Sequence, residues 1–144
     1  MQSSEVLDVF EKLLNAAQHP GIAKVERYDG VVSGIRVRFS WETDGFLWVK
    51  ADAPAPTAGP EPTGEKFGTA PYLIKLALDL CESARPGGFA SWVPATYKGM
   101  PVAPSGLQIK TTDGGTVNLR VTSGGQDPEV NPHAGYSVPA GIIV

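Results

Sequence analysis

Six basic residues, Lys24, Arg36, Arg38, Lys50, Lys110 and Arg120, fall at one parity within five short segments of strand-like alternation. Residues two apart in a β-strand share a face, so the six belong on one side of a sheet. Tyr28, Phe46 and Trp48 have the same parity, and Glu26 is the acid read among them. Cationic side chains set among aromatic rings suit an anionic partner, because the charges meet carboxylates or phosphates while the rings stack. An acidic protein or a nucleic acid fits this face, and Arg36, Arg38, Trp48, Lys50 and Arg120 are the expected contacts. Solvated strands also carry Lys and Arg to discourage edge-to-edge association, so the pattern has a purely structural explanation as well.

A second candidate is the loop Asn131-Pro132-His133-Ala134-Gly135-Tyr136, with Asp127 and Glu129 nearby. A histidine there has the chemistry of a general base, a metal ligand or a loop contact. Turn formation alone accounts for Asn-Pro and Ala-Gly. Trp92, Tyr97, His133 and Tyr136 are candidate walls of a small-molecule pocket between the second helix and the C-terminal loop. This gives the alternative of a small enzyme or ligand-binding protein. Cys81, flanked by apolar residues in mid-helix, reads as a core thiol, and His19 as a residue at a helix end. The chain contains no G-x-S-x-G, no G-x-x-x-x-G-K-[ST], no G-x-G-x-x-G after a strand and no H-E-x-x-H. No catalytic residue, metal site or cofactor is assigned, and a non-enzymatic binding or accessory protein is the first functional expectation.

The elements that position these residues follow from apolar periodicity. In residues 4–18, Val6, Phe10, Leu13, Leu14 and Ala17 recur at helical spacing, with Ser3 or Ser4 as the cap. Strands are predicted at 22–28, 31–40 and 46–51, the first two joined through Asp29-Gly30, a hairpin turn pair. Residues 53–68 hold Pro54, Pro56, Pro60 and Pro62 and read as a long loop, a tether, a lid or a partner strap. A second helix is predicted over 69–84, apolar round most of its circumference, so that it is either the central core helix or part of an interface. Residues 89–104, interrupted by Pro94, Pro101 and Pro104, are expected to wrap irregularly round the core. A hairpin over 106–111 and 116–122 turns at Asp113-Gly114-Gly115, and 123–144 is an irregular Gly- and Pro-rich segment. Its closing Ile142-Ile143-Val144 would cover a sheet edge, dimerise or be captured by a partner as a strand.

The expected fold is α+β: a single domain over 1–144, ordered αβββα then a β-hairpin, with a mainly antiparallel five-stranded sheet and two helices on its apolar face. The order αβββα is similar to that of the double-stranded RNA-binding domain. That family opens its second helix with lysines for phosphate, whereas here only Lys66 precedes it, and the family is not assigned.

At 144 residues and 42 % hydrophobic content the chain suffices for one core. A net charge of -3 argues against non-specific DNA binding by bulk charge, so a nucleic-acid role would need charge segregation. One cysteine excludes an internal disulfide and favours a reducing compartment. The start has no basic stretch leading into an apolar one, and no run reaches the roughly 20 residues of a membrane span. A cytoplasmic location is therefore expected, without membrane contact. The 17 glycines and 13 prolines suit a GC-rich bacterial genome. A homodimer through the sheet edge and the C-terminal tail is compatible with either function.

Overall fold

The computed structural model describes residues 1–49, 57–58, 68–96, 105–126, 128, 131 and 133–144. Helix α1 (Ser3–Ala16) leads into β1 (Ile22–Tyr28), β2 (Ser33–Phe39) and β3 (Asp44–Val49); β4 (Thr57–Ala58), α2 (Thr69–Ala84), β5 (Phe89–Thr96), β6 (Ser105–Thr111) and β7 (Thr116–Gly124) follow. All strand pairs are antiparallel, in the order β1-β2-β3-β7-β6-β5-β4. The α+β class and the helix-covered antiparallel sheet match the sequence reading. The strand count does not: six strands of six residues or more stand where five were expected, together with the two-residue β4.

The additional full strand is β5, which the prolines had suggested was irregular. It pairs with β6 from Phe89 to Thr96, straight through Pro94 opposite Leu107. On its other side, among the described residues, β4 reaches only Ala95 and Thr96, so no described strand lies beside Pro94 there. A proline is tolerated where no strand partner awaits its missing N–H. The predicted 53–68 loop thus contributes β4, and Gly68 is the N-cap of α2; the rest of that stretch lies outside the described residues.

One face of the sheet is apolar because the strands alternate. Ile35, Val37, Phe39, Leu47, Leu107, Ile109, Leu119 and Val121 are all buried. Helix α1 sets Val6, Leu7, Phe10, Leu13 and Leu14 against this layer. Its N-cap is Gln2 rather than Ser3 or Ser4, with the Gln2 backbone N–H donating to Glu5 Oε1 at 3.0 Å. Arg27, at the end of β1, ties helix to sheet through Asp8 at 2.6 Å. Ala23, expected on the apolar side, sits at a register shift between Ile22 and Lys24 and is exposed.

Helix α2 is the central core helix. Leu73, Ile74, Leu76, Ala77, Leu78, Leu80 and Cys81 are buried round most of its circumference. The sheet covers one side, α1 another, and the C-terminal segment a third. Ser83 Oγ donates to the Pro139 carbonyl at 2.6 Å, and Tyr136, Val138 and Ile142 pack on the core. The C-terminal segment therefore covers the helical layer and not a sheet edge. Of the closing Ile142-Ile143-Val144, Ile143 is 93 % exposed and Val144 37 %. Each buried Leu contributes about 1.5–3 kcal/mol of transfer free energy, and this layer anchors the opposite face of the sheet.

Candidate binding face and a histidine cluster

The face opposite the helices is built in cross-strand rows. Lys24, Arg38 and Asp44 form the first, Glu26, Arg36, Phe46 and Thr122 the second, and Tyr28, Gly34, Trp48, Arg120 and Gly106 the third. Gly34 is required because Tyr28 lies over it: a Cβ there would strike Tyr28 Oη, Trp48 Cβ and the Leu47 carbonyl. Tyr28 and Trp48 are thereby brought to the same place on the sheet.

Asp44 organises the charge. Its carboxylate accepts from Arg36 Nη2 at 2.6 Å and from Arg38 Nε at 3.3 Å. The Arg36 hydrogen bond, aided by Arg38, holds the Asp44 carboxyl below its ordinary range against the opposing effect of desolvation. Asp44 in turn raises Arg36. Lys24 Nζ lies 3.1 Å from Glu26 Oε1, and this hydrogen bond and charge lower the Glu26 carboxyl. Arg38 and Lys24 remain well exposed, at 50 % and 65 % of their side chains. The face carries Lys24, Arg36, Arg38, Lys110 and Arg120 against Glu26 and Asp44, a basic excess on a chain of net charge -3.

Arg36, Arg38 and Trp48 come together as the alternation predicts. Arg120 joins them but is only 5 % exposed, its guanidinium 4.9 Å from the Trp48 ring centroid. It packs on the indole as a cation–π contact, and Trp48 Nε1–H donates to Thr122 Oγ1 at 3.2 Å. Lys110 is exposed at the far end of β6, and Lys50 lies outside the described residues. Sequence reasoning missed Asp44, which lies before the strand predicted at 46–51. Because β3 begins at Asp44, two residues before Phe46, the carboxylate takes the same face as the arginines. That spacing was the available signal.

His133 and Tyr136 meet at a different place, beside the first turn of α2. The Gly21 N–H donates to His19 Nδ1 at 2.9 Å, and His19 Nε2 lies 2.9 Å from His133 Nδ1. The first bond makes His19 Nδ1 an acceptor, which assigns the proton to Nε2 and makes His133 Nδ1 the next acceptor. His133 consequently carries its own proton at Nε2, a buried atom without a hydrogen-bond partner among the described residues. Tyr72 stacks nearly parallel on the His133 ring, Phe39 and Trp41 stack at 4.6 Å, and Tyr136 Oη donates to the Ala17 carbonyl at 2.7 Å.

Desolvation, then the neighbouring His19, pushes His133 down to about 4, and desolvation also lowers His19. Burial raises Tyr72 and Tyr136. A neutral imidazole with Nδ1 already occupied is a hydrogen-bond donor and a weak base. Tyr72, Lys75, Asp79, His133 and Tyr136 line a cleft of ≈ 220 Å³ beside it. Trp92 is elsewhere, donating to Glu82 Oε1 at 2.8 Å; Glu82 is ten residues along α2 from Tyr72, about 15 Å on a helix. Tyr97 lies outside the described residues. Cys81 is fully buried, its thiol pushed up to about 12 by desolvation and by Glu82, as suits a core residue.

No group of three or more potential metal ligands occurs among the described residues, and none of their helices is long and apolar enough to cross a membrane. No protein-family model matches the chain. Neither a curated protein nor a solved structure matches it.

Proposed function

We propose that this protein is a non-enzymatic binding protein that presents the sheet face opposite its helices to an acidic partner. The observation that carries the reading is the Arg36–Asp44–Arg38 cluster beside half-buried Phe46, Trp48 and Tyr28, on the side of the sheet away from both helices. Arginine, tryptophan and tyrosine are the residues that dominate protein interfaces. The carboxylate aligns the two guanidiniums, and a partner's acidic side chains replace or share it. An acidic protein fits better than a nucleic acid because Asp44 and Glu26 interrupt the basic rows that a phosphate backbone would follow.

Affinity capture from a bacterial lysate, with and without nuclease, tests the reading. The wild type is expected to retain a specific acidic protein that the Arg36→Ala, Arg38→Ala variant loses. Nuclease-sensitive retention would transfer the face to nucleic acid, and equal retention by both chains would remove it from consideration.

A second reading, small-molecule binding in the cleft, draws on the buried Nε2–H of His133, which has no partner among the described residues, next to that space. A ligand oxygen would satisfy this donor. Screening polar metabolites by thermal shift, with His133→Asn as the control, tests it; a hit that stabilises both chains equally counts against the cleft.

A further inference from the structure

Strand β1 forms one margin of the sheet, and among the described residues no strand pairs with its outer side; the Ile22 N–H at its start bonds to the His19 carbonyl at 3.1 Å. Such a margin is a template for another strand. Past the register shift at Ala23, residues 24–28 run in unbroken register with β2, from Lys24 opposite Arg38 to Tyr28 opposite Gly34. A groove of ≈ 210 Å³, lined by Leu14, Gln18, Ile22 and Val25 among others, lies between the start of this margin and the end of α1.

The side chains of this margin select their own copy. For two antiparallel edges to join with both helical layers on one side, facing residues must come from the same face of the sheet. The two-fold axis then passes through Lys24, Val25, Glu26 or Arg27. Centred on Lys24 it opposes two ammonium groups, on Glu26 two carboxylates, and on Arg27 two guanidiniums. Centred on Val25 it sets Lys24 against the partner's Glu26 and Glu26 against the partner's Lys24, with the two valines in contact. Lys24 and Glu26 already pair with each other at 3.1 Å, and at 65 % and 35 % exposure each can exchange that partner for its opposite in the other copy. Opposite charges directly across a strand pair are favourable and like charges are not.

We infer that β1 is the seam of a two-fold homodimer in which Val25 meets its equivalent and Lys24 and Glu26 exchange ion pairs between copies. The interface is isologous, as a closed two-fold requires. It joins the two sheets with their open faces on the same side, placing two Arg36–Asp44–Arg38 clusters on one continuous surface. The inference rests on the β1 edge and stands apart from the binding role of that surface.

Sedimentation equilibrium of the full chain and its charge-reversed variants tests the seam, with circular dichroism confirming that each variant folds. The wild type is expected to self-associate by about 100 μM, the range of a weak, short interface. Lys24→Glu and Glu26→Lys should each weaken association by roughly tenfold or more, since each turns both ion pairs into like-charge contacts. An equimolar mixture of the two variants should associate as tightly as the wild type, because two acidic positions then face two basic ones. A monomeric wild type would overturn the seam, as would variants that associate like the wild type or a mixture that fails to recover.

Discussion

On the open face, Asp44 holds Arg36 at 2.6 Å and Arg38 at 3.3 Å within reach of water, whereas His19 is 5 % exposed and is bonded to both the Gly21 N–H and His133. The two clusters use polar groups in opposite ways. Exposed ion pairs contribute little to stability and exchange partners at small cost, which suits a binding surface. A buried hydrogen-bond chain is directional, and breaking one link leaves donors unsatisfied. The histidine chain accordingly joins the C-terminal segment to the end of α1, while the arginine cluster remains free to respond to what meets it.

The largest effect is expected from removing the floor of the histidine cluster. Phe39 is 1 % exposed and stacks on Trp41, with edge contacts to both histidines. Phe39→Ala should cost about 3–5 kcal/mol in urea unfolding, as truncated core aromatics do.

Acid should separate the clusters next. Burial lowers both histidines in the fold, so stability is full above the unfolded value of 6.5 and is lost as pH falls from there toward about 4. The loss should be roughly 1–2 kcal/mol, a figure reduced for the solvent that reaches the His133 ring. His133→Asn should shrink it. Asp44, lowered by Arg36, has the same sign in a lower window: its contribution is present above its unfolded value of 3.8 and is lost only as pH falls below it. Urea midpoints measured from pH 8 down to about pH 2 distinguish the two windows.

The smallest effect belongs to Asp44→Asn, which frees both guanidiniums from a carboxylate. The melting temperature should move by less than about 3 °C. Retention on a polyglutamate column should nevertheless lengthen; unchanged retention would show that Asp44 does not control the face.

The fold was legible where alternation was clean. Ile35-Arg36-Val37-Arg38-Phe39 and Val117 to Val121 assigned both faces of the sheet correctly, because period-two burial is a property of the strand alone. The continuous apolar surface of α2 likewise announced a helix covered on several sides. Strand β5 was hidden because Pro94 is harmless only where β4 ends, a fact of topology that local sequence does not carry. The meeting of His19 with His133 was hidden for the same reason: 114 residues separate them, and a turn-rich loop betrays no partner. Asp44 was misplaced by a two-residue error in a strand boundary, enough to remove the central carboxylate of the candidate face.

The most direct test places a photo-crosslinking residue at Phe46, in the middle of the open face, and separately at exposed Ala134, beside the histidine pair. In lysate, the chain labelled at Phe46 should give a discrete, nuclease-resistant adduct with an acidic protein, and the chain labelled at Ala134 should not. No adduct at Phe46, or one formed only from Ala134, would contradict the assignment of binding to the sheet face.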